Sequence, residues 1–173
     1  HVGAKNLLIT NPTDMKSFLK VLKSHQVTLM TGVNTLFNGL LNQPAFKDVD
    51  LSKLKGSIGG GMAVQDFVAK KWESVTGSPL IQGYGLSETS PVLCCNPLDG
   101  THEIGTIGLP VSNTEVGIFD DDGNQLSQGE VGEICARGPQ VMNGYWQIDN
   151  KDVFFDGDWF RTGDIGIMSE KGF

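Results

Sequence analysis

The alternation of strand and helix signals most restricts the fold of this chain. Short apolar runs such as Leu7–Thr10 and Val27–Thr31 have the length and composition of strands. Between these runs, Met15, Phe18 and Leu22 recur at helical spacing. Strands separated by helices predict parallel βαβ units, in which the helices cover a sheet. We therefore predict an α/β fold for the first part of the chain.

The same pattern continues to residue 82. A second helix is predicted after Gly32, with an apolar face made of Val33, Leu36, Phe37, Leu40 and Leu41. A third helix is predicted to end at Gly77, because glycine suits the left-handed position that follows a helix. Its apolar face consists of Val64, Phe67, Val68, Trp72 and Val75. Strands are predicted at Ser57–Ile58 and Pro79–Gln82, on either side of this helix.

From Thr106 onward the pattern changes to short strands and turns. Thr114–Phe119 and Val131–Ala136 flank the turn sequence Asp120–Asn124, which predicts a hairpin. Two further strands are predicted on either side of a turn at Gly163–Asp164. This half is predicted to be a small antiparallel β-barrel or sandwich. The chain is thus divided into a partial α/β subdomain, residues 1–103, and an antiparallel β subdomain, residues 104–173.

Composition excludes several classes of protein. The 173 residues are 39% hydrophobic and carry a formal net charge of −7, which is typical of a globular chain and argues against nucleic-acid binding. No apolar run has the length needed to span a bilayer. Three cysteines without metal-ligand spacing predict reduced, partly buried thiols. The three scattered histidines, His1, His25 and His102, are assigned no catalytic role.

The segment Gln82–Thr89 carries the side chains that a nucleotide site needs. Glycines let the backbone approach a flat ligand, Tyr84 can stack on a base, and Glu88 can hold Mg²⁺. A tight turn with a packed tyrosine and a solvated glutamate is the alternative. Gly59–Gly61 is similarly ambiguous: it can lie against a planar group or form a plain strand-to-helix turn, and neither of the common glycine-rich phosphate motifs is present.

In combination these segments resemble the acyl-adenylate-forming superfamily, and within it the bacterial long-chain fatty acid–CoA ligases. The motifs occur in one order along the chain: Gly59–Met62, Gly83–Thr89, Gly132–Glu133, Gly138–Trp146 and Arg161–Asp164. Leu7–Pro12 and Thr31–Asn38 resemble the long-chain branch. The resemblance covers essentially the whole chain and implies a fragment of the acetyl-CoA synthetase-like fold.

The resemblance implies a reaction in two steps. A fatty acid carboxylate attacks the α-phosphate of ATP, giving acyl-AMP and pyrophosphate, and the thiol of CoA then displaces AMP. Mg²⁺ is the implied cofactor; the fatty acid, ATP and CoA are the implied substrates. A cytoplasmic location is implied. Peripheral association of the larger protein with the inner membrane, and a homodimer, are both compatible with the resemblance.

The resemblance also implies roles for individual residues. Tyr84 would stack on adenine, Asp164 would accept hydrogen bonds from the ribose, and Glu88 would hold Mg²⁺ as a catalytic residue. Ser87 would act beside it at the α-phosphate. The other implied nucleotide-binding residues are Gly59, Gly60, Gly61, Met62, Gly83, Gly85, Leu86 and Thr89. Val33 and Phe37 would border the acyl pocket.

The chain departs from the family pattern at two positions and lacks some of its parts. Ala63 stands where proline is expected, and Ser87 where threonine is usual, although the hydroxyl is retained. The upstream phosphate loop ending in lysine and the small domain with the catalytic lysine are not in this sequence. We therefore expect a fragment of a larger protein, inactive as a ligase when isolated.

Two alternatives remain open on sequence grounds. The first is an adenylate-forming ligase for another carboxylic acid, such as an aryl, medium-chain or amino acid. The second is a non-catalytic β-rich binding module whose glycines merely form turns. Glu88 and Asp164 side chains that point into one shared cleft beside Tyr84 would favour an enzyme, whereas carboxylates that face different solvent surfaces would favour the binding module.

Overall fold

The structure is a computed structural model that describes residues 3–156 and 158–173. His1 lies outside the described residues. By the density of its contacts the chain divides into two compact units, of which the first ends at Leu80 and the second begins at Ile81. The two units are described separately below.

The first unit contains three α-helices and a parallel pair of strands. The helices are α1 (Met15–Ser24), α2 (Asn34–Leu41) and α3 (Asp66–Thr76), with a short 3-10 helix at Pro44–Asp48 after α2. The strands β1 (Leu29–Gly32) and β2 (Gly56–Gly59) pair in parallel, from Leu29 opposite Gly56 to Gly32 opposite Gly59. Because α2 lies between these strands in sequence, the predicted βαβ unit is confirmed.

An aromatic cluster forms the core of this unit. The Trp72 side chain on α3 is fully buried. Phe37 on α2 meets its ring edge-on, with the ring centroids 4.9 Å apart and the planes at 79°, and Phe46 lies 5.4 Å away on another side. These contacts join α2, α3 and the 3-10 helix. Gly77 ends α3 in the left-handed conformation, at φ 70°, as predicted.

Two expectations for this unit are wrong. Leu7–Thr10 is not a strand, and the Leu8 side chain is 89% exposed. An apolar run becomes a strand only where another strand offers hydrogen bonds, and no described strand pairs with this one. The N-cap of α1 is Asp14, whose side chain accepts the Ser17 N–H at 3.1 Å. Phe67 and Val75, predicted to face the core on α3, are exposed.

The second unit is built from antiparallel strands. The first group comprises β3 (Leu80–Gly85), β4 (Val92–Cys95) and β5 (Leu109–Pro110), in which β4 pairs with both others. The second group is a four-stranded sheet that curls into a half-barrel in the order β6–β7–β9–β8. Its strands are β6 (Glu115–Phe119), β7 (Val131–Arg137), β8 (Phe154–Phe155) and β9 (Trp159–Ile167). The predicted antiparallel β-rich half is confirmed, whereas β4, β5 and β8 were not predicted.

Gly163–Asp164 does not form the predicted turn between two strands. Both residues lie inside the single strand β9. Opposite them on β7, the pairing shifts register between Glu133 and Cys135, and Gly163 takes a φ of 77°. An irregularity of this kind lets a strand carry an extra residue and re-aim its side chains while pairing continues on both sides. A glycine–aspartate pair can therefore mark a bulge as well as a turn.

The strand before the glycine motif is longer than predicted. It was expected to end at Gln82, but β3 continues to Gly85 and pairs Tyr84 with Cys94 of β4. A buried cluster of Leu93, Cys94 and Ala136 packs against Tyr84. This buried cluster joins segments on both sides of residue 103. The second compact unit accordingly begins at Ile81, before Thr106, where the sequence pattern changes. The subdomain division at 103/104 stays a prediction.

The cysteines agree with the expectation of unpaired, partly buried thiols. All three cysteines are free, and Cys94 and Cys135 are buried. Burial raises the pKa of each of these two thiols to about 12, so both are protonated at neutral pH. No helix among the described residues has the length and apolar character needed to cross a membrane.

Replacement of Trp72 by alanine tests the aromatic core. Trp72→Ala should lower the free energy of unfolding by about 3–5 kcal/mol, because it empties a fully buried site. Phe67→Ala, on the same helix but 57% exposed, is the matched control and should change it by about 0.5 kcal/mol or less. Urea unfolding measures both. Equal losses in the two variants would contradict this packing.

Candidate functional site

The turn after β3 is held from inside by Thr89. A short 3-10 helix spans Ser87–Thr89, and the Thr89 side chain is fully buried. Its hydroxyl oxygen accepts the Leu86 N–H at 2.9 Å, and the hydroxyl donates to the carbonyl oxygen of Pro91 at 2.6 Å. These bonds occupy the hydroxyl. The geometry therefore argues against a direct contact between the Thr89 side chain and a nucleotide, and makes Thr89 a residue that positions its neighbours.

Gly85 is a glycine for a reason that involves no ligand. A Cβ atom added there would lie 1.8 Å from the carbonyl oxygen of Pro91, far inside van der Waals contact. The backbone on the far side of the turn therefore requires a residue without a side chain at this position. The sequence-based explanation, that Gly85 lets a nucleotide approach, is not needed to account for it.

Tyr84 and Asp164 are joined by a hydrogen bond. The Tyr84 hydroxyl donates to Oδ2 of Asp164 at 2.6 Å, across 80 positions of the sequence. Tyr84 is half-buried. Burial, followed by the bond to Asp164, raises the pKa of Tyr84 well above its ordinary value. The phenol therefore stays protonated and remains a donor to the carboxylate.

Asp164 takes its position from the bulge in β9. Its N–H donates to the Thr162 hydroxyl oxygen at 3.1 Å, and that hydroxyl donates to the carbonyl of Ile134 at 2.7 Å. The neighbouring Gly163 N–H donates to Oε1 of Glu133 at 2.9 Å. These bonds fix the backbone at the bulge, and they leave the Asp164 carboxylate exposed apart from its contact with Tyr84.

Glu133 and Arg161 form the ion pair behind this bulge. The Arg161 guanidinium donates to Oε2 of Glu133 through Nε at 3.0 Å and Nη2 at 2.8 Å. The Glu133 side chain is only 12% exposed. Both residues belong to motifs of the sequence resemblance, but no role was predicted for either. Their pairing across 28 positions cannot be recognised from local sequence.

Glu88 lies in the turn and is held by a second tyrosine. The Tyr145 hydroxyl donates to Oε1 of Glu88 at 2.8 Å, and the Met142 N–H donates to the Glu88 carbonyl at 2.8 Å. Hydrogen bonds from its own backbone N–H and from Tyr145 keep the pKa of Glu88 below its ordinary value. The carboxylate is therefore ionised at neutral pH. Ser87 beside it is exposed, and Leu86 is half-buried.

The residues around Glu88 fit a magnesium ion that is held largely by a substrate. Within residues 3–156 and 158–173, no group of three or more histidine, cysteine, aspartate or glutamate side chains could hold a metal ion by itself. Mg²⁺ commonly binds through one or two carboxylates and completes its shell with phosphate and water oxygens. A single ionised, partly exposed glutamate meets that requirement, whereas a protein-only metal cage is absent from the described part of the chain.

All the remaining predicted site residues except Gly83 belong to the first unit. The Gly60 N–H donates to the Gly32 carbonyl at 3.1 Å, immediately after β2. Gly61 has a φ of 74°, and a Cβ there would lie 3.7 Å from the Val33 side chain. Val33 is 42% exposed, whereas Phe37 is fully buried against Trp72. Contact of either residue with an acyl chain stays a prediction.

For Met62, Gly59, Gly60 and Gly83 the structure gives exposure and strand position, and their contact with a nucleotide stays a prediction. Met62, next in sequence, is 55% exposed. Gly59 ends β2 and is buried, and Gly60 is half-buried. Gly83 lies within β3, opposite Cys95 of β4.

Comparison with known proteins identifies a group with shared sequence. Residues 1–146 match the family described as AMP-binding enzyme. The chain is 50% identical over 173 residues to the long-chain-fatty-acid–CoA ligase of Escherichia coli O157:H7, covering 99% of this chain and 31% of that protein. It is 52% identical to the protein of the same name from Yersinia pestis, with the same coverage. The chain thus spans about a third of the length of these curated relatives.

Solved structures show the same fold. A benzoate CoA ligase from Burkholderia xenovorans LB400 superimposes with a TM-score of 0.87 at 26% identity, over 99% of this chain and 35% of that one. ATP-bound MatB from Rhodopseudomonas palustris superimposes with a TM-score of 0.83 at 29% identity, over 92% of this chain and 32% of that one.

Substitution of Gly85 tests the close approach that shapes the turn. Gly85→Ala should lower the free energy of unfolding by about 1–3 kcal/mol, because the added methyl group overlaps the Pro91 carbonyl. Gly39→Ala is the matched control: its Cβ would lie at an ordinary 3.5 Å from Met15, and alanine favours the helix by up to about 1 kcal/mol. Chemical denaturation of both variants measures the difference. A Gly85→Ala protein as stable as wild type would show that the turn is looser than described.

Proposed function

Because the chain belongs to the AMP-binding enzyme family, we propose that it is part of a long-chain fatty acid–CoA ligase. In this proposal the whole protein activates a fatty acid with ATP to acyl-AMP and transfers the acyl group to CoA. The identity of about half of the residues to bacterial ligases of that name supports the choice of acid. Support from geometry comes chiefly from one observation, the hydrogen bond between Tyr84 and Asp164.

The bond between Tyr84 and Asp164 supports a site for adenosine. Adenine and ribose are joined directly, so an aromatic face beside an acceptor for the ribose hydroxyls can bind both. Tyr84 and Asp164 supply these two groups at one place although they are far apart in sequence. In this proposal Asp164 accepts hydrogen bonds from the ribose with the oxygen atoms that Tyr84 leaves available. The Tyr84 ring lies against adenine.

Glu88 and Ser87 are proposed to act at the phosphates. Glu88 is ionised, is partly exposed, and lies in a turn that Thr89 holds from inside. It would hold Mg²⁺, which when bound neutralises the negative charge that develops on the phosphates. The exposed Ser87 hydroxyl would donate a hydrogen bond to an α-phosphate oxygen. Gly59, Gly60, Gly61 and Met62 are proposed to border the nucleotide, and Val33 and Phe37 the acyl chain.

A non-catalytic β-rich module fits the geometry less well. Such a module has no need for an aspartate and a tyrosine to meet on the surface across 80 positions. A ligase for an aryl, medium-chain or amino acid keeps every proposed role of Tyr84, Glu88 and Asp164 and changes only the acid. A fatty-acid ligase and a ligase for another acid therefore differ in the acid they activate and share the same nucleotide site.

Acid specificity of the full-length protein tests the proposed substrate. ATP–pyrophosphate exchange should be fastest with a long-chain fatty acid such as palmitate, and slower with octanoate, benzoate or an amino acid. The 173-residue chain alone should give no measurable exchange, because the triphosphate and the attacking carboxylate lack their cationic partners. Fastest exchange with benzoate or an amino acid would refute the fatty-acid assignment, and rapid exchange by the isolated chain would refute its dependence on further residues.

Substitutions of the two carboxylates test the proposed roles. In the full-length protein, Glu88→Gln should lower kcat for adenylation by about 100-fold, since it removes the charge that holds the metal. Asp164→Asn should mainly raise KM for ATP, by about tenfold, since it weakens hydrogen bonds to the ribose. Glu73→Gln, an exposed position on α3, is the control and should leave both constants unchanged. A normal kcat in Glu88→Gln would refute the proposed role of Glu88 in adenylation.

A further inference from the structure

We propose that Tyr145 is a positioning residue for Glu88, and that the segment 138–150 is built to hold it there. The Tyr145 hydroxyl donates to Oε1 of Glu88 at 2.8 Å, across 57 positions of the sequence. This inference rests on the proposed function, because positioning Glu88 matters only if its carboxylate binds the metal. Tyr145 touches neither the nucleotide nor the acid in this scheme and acts through Glu88.

The same segment holds Glu88 at a second point. The Met142 N–H donates to the Glu88 carbonyl oxygen at 2.8 Å. One bond therefore fixes the backbone of Glu88 and the other fixes the end of its side chain. Two attachments from one segment restrict both the place and the direction of the carboxylate, which a single contact would not do.

Tyr145 is itself fixed by Asn150. Oδ1 of Asn150 accepts the Tyr145 N–H at 2.7 Å, and Nδ2 donates to the Tyr145 carbonyl at 3.1 Å. Gly144 has a φ of 139°, and a Cβ there would lie 3.0 Å from the Asn150 side chain. Asn150 therefore hydrogen-bonds to both the N–H and the carbonyl of Tyr145. The absence of a side chain at Gly144 leaves room for the Asn150 side chain.

The beginning of the segment is attached to the sheet strands. Nε2 of Gln140 donates to the Thr114 hydroxyl at 2.7 Å and to the Val92 carbonyl at 3.1 Å. Val92 belongs to β4, and Thr114 precedes β6. A segment without regular secondary structure is therefore tied to the framework at Gln140 and internally at Asn150. The segment that bonds to Glu88 is therefore itself attached to the sheet.

The contact leaves capacity for a metal ion. An ionised carboxylate has about four lone-pair positions on its two oxygen atoms. The Tyr145 hydroxyl and the Glu88 backbone N–H take two of them, and no other side chain among the described residues hydrogen-bonds to this carboxylate. Fixing a glutamate before the ligand arrives removes the entropy that would otherwise be lost on binding. The expected consequence is tighter metal-assisted ATP binding and a higher kcat.

The test compares Tyr145→Phe with its neighbour in the full-length protein. Tyr145→Phe keeps the ring and removes the hydrogen bond, whereas Trp146→Phe alters an 86% exposed residue in the same segment and is the control. Calorimetric titration with ATP, with Mg²⁺ and with EDTA, gives the gain in affinity that the metal provides. We expect Tyr145→Phe to reduce this gain by about tenfold and to lower kcat by about tenfold, with affinity for metal-free ATP unchanged. Trp146→Phe should change neither quantity.

A double substitution separates the two proposals. Once Glu88 is replaced, Tyr145 has nothing to position, so Glu88→Gln with Tyr145→Phe should lose no more kcat or metal-dependent affinity than Glu88→Gln alone. Unchanged kcat and ATP binding in Tyr145→Phe, with Glu88→Gln impaired, would overturn the positioning role and leave the proposed function intact. Fully independent losses in the double variant would also overturn it. Normal kcat and metal-dependent affinity in Glu88→Gln would instead refute the metal role of Glu88.

Discussion

The close approach between Gly85 and the Pro91 carbonyl is the constraint on which the candidate site depends. It is possible only because position 85 has no side chain. The chain can therefore reverse direction within six residues, and the buried hydroxyl of Thr89 fastens the turn from inside. Tyr84 directly before the turn and Glu88 within it take fixed positions as a result. A looser turn would leave both side chains without a defined direction.

The two proposed ligand-binding carboxylates are each held by a tyrosine. Tyr84 donates to Asp164 and Tyr145 donates to Glu88, each from a distant part of the chain. A phenol is a suitable partner, because it donates one hydrogen bond without neutralising the carboxylate as a lysine or arginine would. The tyrosines add no positive charge beside the two carboxyl groups, and they set the direction of each group before a ligand binds. Such preorganisation is a common means of favouring a charged transition state.

Sequence periodicity predicted the helices and the parallel strand pair, because a helical face is a local pattern that Trp72 and its neighbours display clearly. It failed where the outcome depends on a distant partner. The apolar run Leu7–Thr10 has no described strand to pair with, and Gly163 forms a bulge because of its register against β7. The motif residues around Glu88 were identified, but the bond to Tyr145 spans 57 positions and has no local signature. Thr89 was predicted to contact the nucleotide, but its hydroxyl is buried and bonds to the turn backbone. A sequence does not reveal which hydroxyl turns inward.

The most direct measurement of the central claim is a crystal structure of the full-length protein with a non-reactive acyl-adenylate analogue and Mg²⁺. The account predicts adenine against the face of the Tyr84 ring and the ribose hydroxyls within hydrogen-bonding distance of Asp164. It also predicts that Glu88 keeps its bond to Tyr145 while it faces the metal or its water. An adenylate bound elsewhere, with Tyr84 and Asp164 still joined to each other and touching no ligand, would contradict it.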